Sequence, residues 1–126
     1  MTKLRIVTGL LIMVVSFFAH ADSRKLSAEE VKEVFTDKTI IGDNYHKGMT
    51  TRIYAGPNGE WISNPKGSKM IHFTWFVDSD GAHCKEGKGK TGCGPIISKG
   101  EPNIYYKIFR GEERFKFTII GDGNQL

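Results

Sequence analysis

Cysteine and histidine are the residue types in this chain that are best suited to redox or metal chemistry. Its two cysteines, Cys84 and Cys93, are nine positions apart, which is not the Cys-x-x-Cys spacing of zinc and redox motifs. An even number of cysteines favours a disulfide in an oxidising compartment. A metal site built from His72, His83 and a thiolate would need a reduced cysteine, which a disulfide removes. We therefore predict a Cys84–Cys93 bridge, no metal site and no cofactor.

The sequence lacks the common motifs for catalysis and for nucleotide binding. Neither Gly-x-Ser-x-Gly nor His-Glu-x-x-His occurs, and almost all carboxylates lie in turn-like stretches, where acidic residues are expected for local reasons. Gly89-Lys90-Thr91 matches the end of a phosphate-binding loop, but Cys84 stands where that motif requires its first glycine. We therefore expect no catalytic residues. A small hydrolase would require two acids, or a histidine and an acid, to converge in a cleft.

The first 21 residues have the layout of an export signal. Basic residues precede an apolar run over residues 6–18, and Ala19-His20-Ala21 places small residues where a signal peptidase reads them. The apolar run is shorter than the roughly 18–20 residues that span a bilayer. We predict cleavage after residue 21, a single mature domain over residues 22–126 without a transmembrane segment, and a periplasmic or secreted location.

The composition fits one small folded domain. Hydrophobic residues make up 39% of the chain and charged residues 25%, which argues against disorder. The formal net charge is +4, of which Lys3 and Arg5 in the predicted signal supply two charges. The remaining charge is too small to indicate nucleic-acid binding. Locally, Lys85, Lys88 and Lys90 make the segment between the cysteines cationic, so this segment is a candidate contact for anionic lipid head groups or acidic glycans.

One short helix and a series of strands must position these residues. Ser27 and Glu30 have the spacing of a capping box, and Val31 and Phe35 share the face of a helix that we predict near residues 28–36. From Lys38 onward, short β-rich runs alternate with turns rich in Gly, Pro, Asn and Asp. This pattern predicts a mainly β fold, a small antiparallel barrel or bent sheet of about seven or eight strands.

Strand alternation divides the aromatic residues between two faces. Phe73 and Trp75 fall on an apolar face that we predict as core, and the same reasoning assigns Tyr106 to the core face of its strand. Trp61 lies in a short run between two turns and is expected near the rim of the barrel. Aromatic side chains at a barrel mouth can hold apolar or planar ligands. The aromatic residues that we consider as ligand contacts are Tyr54, Trp61, Phe76 and Tyr105.

The order of the motifs along the chain resembles that of a known family. The segment LSAEEVKEVF over residues 26–35 is followed by YAGPNG over 54–59, WFVDSDGAHC over 75–84, a second cysteine, and IFRGE over 108–112 with FKF over 115–117. This series is similar to the DUF995-type proteins, small exported bacterial proteins of unknown function with calycin-like, lipocalin-like barrels. The resemblance covers most of the mature chain. It implies a barrel behind a leading helix and brings no catalytic residues.

Two functions remain as hypotheses from the sequence. The first is an exported, non-enzymatic binding protein whose partner is a small apolar molecule or another protein. The alternative is an inhibitor or interaction protein that acts on a secreted enzyme or a cell-envelope component through the Cys84–Cys93 loop. The sequence leaves open whether the protein is a monomer or a dimer.

Overall fold

Residues 23–65 and 68–126 are described in a computed structural model, and the predicted signal over residues 1–21 lies outside them. No helix in these ranges is long and apolar enough to cross a membrane. The described residues form one short helix and ten strands of a single sheet. The helix is α1 (Ala28–Phe35), and the strands are β1 (Arg24–Lys25), β2 (Lys38–Asn44), β3 (Met49–Ala55), β4 (Glu60–Pro65), β5 (Ile71–Val77), β6 (His83–Gly87), β7 (Lys90–Gly94), β8 (Ile96–Ser98), β9 (Ile104–Phe109) and β10 (Glu112–Asp122).

Helix α1 begins at the predicted capping box. The Ser27 hydroxyl oxygen accepts a hydrogen bond from the backbone N–H of Glu30 at 3.2 Å, and the Glu30 carboxylate accepts one from the backbone N–H of Ser27 at 3.0 Å. These two bonds satisfy backbone donors that the first helical turn leaves unpaired. Val31 and Phe35 are buried on the inner face, so the helix packs its apolar side against the sheet as the sequence predicts.

The sheet is antiparallel and curls into a half-barrel. Its strands run in the order β1-β8-β9-β10-β2-β3-β4-β5-β6-β7, so the prediction of a mainly β, bent antiparallel sheet is confirmed. Strands β7 and β8 lie near opposite ends of this order, yet only Pro95 separates them in the chain. The Pro95 carbonyl accepts a hydrogen bond from the Ile108 N–H at 3.0 Å, and a Cβ at Gly94 would collide with the Ile108 carbonyl oxygen. Glycine at position 94 therefore permits the close approach of β7 to β9.

The strand count is higher than the sequence analysis predicts. Strand β7 occupies part of the segment between the cysteines that we interpreted as a loop, and β1 is a two-residue strand that pairs with β8. Glycine and lysine have low strand propensity, which hides β7 in the sequence. The backbone ladder with β6 and the bridge hold β7 in the sheet.

Aromatic residues from the helix and from three strands fill the core. The Phe35 ring lies 6.4 Å from Trp75 and 5.6 Å from Phe117, in edge-on arrangements. The Trp75 indole N–H also donates a hydrogen bond to the Gly56 carbonyl at 3.0 Å. Trp61 is 2% exposed and lies 6.3 Å from Trp75, so its expected position near a rim is wrong. The register of β4 against β5 places Trp61 opposite Phe73, on the inner face.

The inner face of β9 is the reverse of the predicted one. Tyr105 packs against Phe35 in the core, and Lys107 is 4% exposed inside the half-barrel. Tyr106 is on the opposite face. It is buried there, at 7% exposed, as the sequence predicts, and its hydroxyl donates to Glu101 at 2.7 Å. The charge of a lysine favours the solvent-exposed face of a strand. Lys107 is buried because residues of other strands supply its hydrogen-bond partners.

Candidate functional site

Three hairpin turns surround an open cavity at one end of the half-barrel. Successive turns of an antiparallel meander alternate between its two ends, so the β2–β3, β6–β7 and β9–β10 turns lie at the same end. The cavity between them has a volume of about 910 Å³. Its described lining residues are Asn44, His46, Lys47, Phe73, Lys85, Gly87, Lys88, Lys90, Thr91, Gly92, Lys107, Phe109, Arg110, Arg114 and Phe115.

The cavity lining is strongly cationic. Seven of the described lining residues are lysine or arginine and none is aspartate or glutamate. In the part of the chain that the structure describes, only Arg114 among these seven forms an ion pair, with Glu112 at 3.2 Å. Glu86 does not line the cavity, and its carboxylate accepts a hydrogen bond from Thr91 at 2.9 Å. Clustered like charges in a concave site create a positive potential that attracts anions.

The pKa of Lys85 shows the effect of this crowding. Burial lowers the pKa of Lys85, and the cations of Lys47 and Lys88 lower it further. Repulsion among cations disfavours their charged forms. An anion bound in the cavity would relieve this repulsion, so the free site is poised to accept negative charge.

Aromatic rings lie beneath several of these cations. The Lys85 Nζ is 4.3 Å from the centre of the Phe73 ring, and the Arg110 guanidinium is 5.1 Å from that of Phe109. Such cation–π contacts fix the position of the charge and keep the apolar ring beside it. The site therefore offers cations and apolar surface together, a combination that suits an amphipathic ligand.

Two of the rim cations sit in tight turns with unusual backbone geometry. Gly87 pairs with Lys90 and Phe109 pairs with Glu112, so each hairpin has a two-residue turn. The first turn residues, Lys88 and Arg110, have φ of 54° and 53°, and a glycine with positive φ follows each. This is the type I′ pattern, in which asparagine is the preferred first residue. Lysine and arginine thus occupy left-handed positions at the rim.

Lys107 lies at the floor of the cavity, and the buried His83 contacts it from the interior. The Lys107 Nζ is 3.0 Å from the His83 Nδ1 and 3.0 Å from the carbonyl oxygen of Gly92. Burial lowers the pKa of Lys107 to about 7, with a further contribution from the Lys85 cation. The pKa of His83 is also well below its usual value, because the ring is buried and Lys107 lies beside it. Both groups therefore carry less charge near neutral pH than exposed groups would.

The interior below this floor is filled by side chains. His83 is surrounded by the rings of Phe35, Trp61, Trp75 and Phe117, with centroid distances from 4.8 to 6.0 Å. Helix α1 covers this cluster through Phe35. A ligand in the cavity therefore contacts the rim and the floor, and does not extend into the aromatic core.

The structure separates the predicted site residues into two groups. The cationic residues Lys85, Lys88 and Lys90 all line the cavity. The four aromatic candidates do not: Trp61 and Tyr105 belong to the core, Tyr54 donates from its hydroxyl to Asp37 at 2.5 Å, and Phe76 is 44% exposed away from the cavity.

The predicted disulfide is present, and it stabilises the hairpin that carries the lysines. Cys84 and Cys93 are directly opposite in the β6–β7 register and their sulfurs are bonded. Asp78 lies close to the bridge, with a carboxylate oxygen 3.9 Å from the Cys84 sulfur. Bridged sulfurs do not act as thiolate ligands, so this cluster is not suited to hold a metal ion while the disulfide is intact.

The pairing of Lys107 with His83 was not predicted from the sequence. The available signal was weak: Lys107 alternates with Tyr105 and Phe109 on one face of β9, so that face carries two aromatic residues around one lysine. A lysine in such a position is buried only if another element supplies acceptors. His83 lies on a strand far away in the sequence, and only the curl of the sheet brings the two together.

Comparisons of the chain with protein-family models, with curated proteins and with solved structures gave no match. The half-barrel behind a short helix is compatible with the barrel that the DUF995-type resemblance implies. Function is therefore inferred from the site itself.

Proposed function

We propose that this is an exported, non-enzymatic binding protein that holds a small anionic amphiphile at the open end of its half-barrel. The observation that carries the proposal is the cavity of about 910 Å³, with seven basic and no acidic side chains among its described lining residues. From the sequence we expect a small apolar molecule or a protein partner. The filled aromatic core and the cationic rim support a ligand with a negatively charged head group instead.

A carboxylate or phosphate head group fits the rim. Lys88, Lys90 and Arg110 are exposed cations on two neighbouring turns, and charge-assisted hydrogen bonds from such groups are roughly twice as strong as neutral ones. The apolar part of the ligand would lie along the rings of Phe73, Phe109 and Phe115. Small-molecule sites typically combine apolar walls with a few polar groups that fix the orientation.

Calorimetric titration with three probes below their micelle concentrations tests the proposal. Dodecyl phosphate carries the anionic head and the tail, dodecyl maltoside carries the same tail on a neutral head, and inorganic phosphate carries the head alone. We expect saturable binding of one dodecyl phosphate per chain. Inorganic phosphate should bind more weakly, because it gains nothing from the phenylalanine rings, and dodecyl maltoside should bind least.

A matched pair of variants identifies the site. Lys88→Gln/Lys90→Gln removes two charges from the rim, and Lys25→Gln/Lys32→Gln removes two exposed charges away from the cavity. We expect the rim variant to weaken dodecyl phosphate binding by about tenfold or more, at roughly 1 kcal/mol per lost charged contact. The control variant should bind like the parent. The proposal would be refuted if the two variants bound dodecyl phosphate equally well. It would also be refuted if the parent protein bound dodecyl phosphate and dodecyl maltoside equally well.

The alternative, an interaction protein, is supported by the rigidity of the β6–β7 hairpin. The bridge cross-links directly opposed residues, and Lys88 lies at the hairpin tip. Such a tip would contact an acidic surface on a secreted enzyme or cell-envelope component. Native mass spectrometry of protein purified from the periplasm separates the two proposals. A retained small molecule that is lost on denaturation supports the amphiphile, whereas an empty chain that also fails the titration favours the alternative.

A further inference from the structure

We propose that Lys107 is a covalent capture site for anionic aldehydes, which it holds as an imine at the floor of the cavity. This inference rests on the proposed function, because the rim cations would bring the anionic compound to Lys107. Reversible binding at the rim requires no reactive group. The inference adds one, the Lys107 amine, and names anionic aldehydes as the class of ligand.

The hydrogen bonds of Lys107 suit a neutral amine. A neutral lysine has two N–H donors and one lone pair. The Gly92 carbonyl oxygen accepts one N–H at 3.0 Å, and the His83 Nδ1, also at 3.0 Å, accepts the other in the tautomer that carries its proton on Nε2. These acceptors satisfy both donors and leave the lone pair without a hydrogen-bond partner. An ammonium group would carry a third N–H, for which no acceptor is found among the described residues.

The charges around Lys107 favour the same state. Lys107 forms no ion pair within the described ranges, and Lys85 and Arg114 line the same cavity. Burial and the Lys85 cation bring the pKa of Lys107 to about 7. Near neutral pH the unprotonated form of Lys107 is therefore far more populated than that of an ordinary lysine, which is almost fully charged. A desolvated lysine beside other cations is a standard arrangement for an amine nucleophile.

The capture reaction balances without any further reagent. The Nζ lone pair attacks the carbonyl carbon, forming a C–N bond while the C=O π electrons move to the oxygen. One Nζ proton passes to that oxygen, which gives a neutral carbinolamine. The carbinolamine loses its hydroxyl group and the second Nζ proton as water, and a C=N bond remains. No electrons are transferred, and adding water reverses the reaction.

His83 would act as a positioning residue for Lys107. Its Nδ1 lies 3.0 Å from the Nζ and holds the amine in place. The ring is 1% exposed and packs against Trp61 and Trp75, so it has little freedom to turn away. Its Nε2 has no hydrogen-bond partner among the described residues, which leaves Lys107 as the polar contact of the ring.

Reductive trapping tests the capture site. The full mature protein is incubated at pH 7 with 4-formylbenzoate and cyanoborohydride, which converts an imine into a stable secondary amine. Intact mass and peptide mapping then give the number and position of 4-carboxybenzyl groups. Among the lysines we expect one labelled position, Lys107, with labelling at least about tenfold above that of the exposed Lys25 and Lys32. The α-amino terminus, with an ordinary pKa near 8, is labelled as well and is mapped separately. The neutral 4-methylbenzaldehyde should label Lys107 several-fold less, because the rim does not attract it.

A non-reactive analogue distinguishes failure of this inference from failure of the proposed function. 4-Methylbenzoate has the charge and shape of the probe but cannot form an imine, so its calorimetric titration reports the rim alone. If it binds and Lys107 is labelled no faster than the exposed lysines, capture is refuted and the proposed function stands. If 4-methylbenzoate does not bind, the proposed function fails. Equal labelling of Lys107 by 4-formylbenzoate and 4-methylbenzaldehyde would refute the selection for anionic aldehydes.

The variant Lys107→Met provides the final check. It should lose the selective label at position 107. Selective labelling of another lysine in this variant at the parental rate would refute the assignment to Lys107. If the variant does not fold, peptide mapping of the parent protein still decides the position of the label.

Discussion

Lys88 provides the sharpest test of the rim, because replacing it should raise the stability of the fold and weaken ligand binding. Its φ of 54° lies in the left-handed region, within a type I′ turn. Left-handed backbone costs a non-glycine residue about 1–2 kcal/mol, and asparagine is the side chain that best tolerates it at this position. Lys88→Asn should therefore raise the free energy of unfolding by about 0.5–1 kcal/mol and raise the melting temperature by a few degrees.

The same variant should bind dodecyl phosphate more weakly, because it removes a rim cation. Lys88→Gln is the matched control, since it removes the same charge but keeps an ordinary side chain on the left-handed backbone. Both variants relieve the repulsion that Lys88 exerts on Lys85, so the difference between them isolates the backbone cost. Urea unfolding followed by the fluorescence of the two buried tryptophans, with linear extrapolation, gives the free energies.

Equal stability of Lys88→Asn and Lys88→Gln would refute the argument that the turn is strained. Unchanged binding by both variants would refute the role of this cation at the rim. If asparagine stabilises the fold and weakens binding, lysine at this position carries a cost in stability that the binding site explains. Arg110, with its φ of 53° in the β9–β10 turn, should respond to the same pair of substitutions in the same way.

Three further predictions concern the floor, the bridge and the core. Because the pKa of Lys107 falls from its usual 10.5 to about 7, the unfolded chain binds more protons between these values, and stability should rise with pH by up to about 1 kcal/mol per unit from pH 7 to 9. Lys107→Met should flatten this rise, as measured by urea unfolding at each pH, and an unchanged slope would refute the assignment. Cys84→Ser should lower the free energy of unfolding by about 2–3 kcal/mol under oxidising conditions, and melting temperatures equal to the parent's would contradict a stabilising bridge. Trp75→Ala should cost about 3–5 kcal/mol, because it opens a cavity among aromatic rings and removes the bond to the Gly56 carbonyl; a loss below about 1 kcal/mol would contradict its place in the core.

Features that depend on nearby residues could be predicted from the sequence. The capping box needs only Ser27 and Glu30, three positions apart, and helix α1 begins where this pair indicates. The bent antiparallel sheet follows from alternation within strands and from turn residues between them, both of which are local signals. The bridge follows from the even number of cysteines in a chain that we predict to be exported, and the register of β6 against β7 places the two cysteines opposite each other.

Features that depend on the curl of the sheet could not be predicted. Trp61 is flanked by turns, which favours an exposed position, but its strand pairs across the inner face with β5. Lys107 has the charge of a surface residue, and its acceptors, His83 and the Gly92 carbonyl, lie on β6 and β7. The three cationic turns are far apart in the sequence as well. No local pattern states that they surround one cavity.

The filled interior determines where the selectivity of the proposed site must arise. A deep apolar calyx gains about 0.8 kcal/mol for each buried CH₂ group and so discriminates by tail length. Here the rings around His83 occupy that space, and only Phe73, Phe109 and Phe115 remain to contact a tail. Affinity should therefore change little when the alkyl tail is lengthened and strongly when the head group loses its charge. Because the rim cations are exposed, salt should also weaken binding, since charges at the surface are screened over about 8 Å at physiological ionic strength.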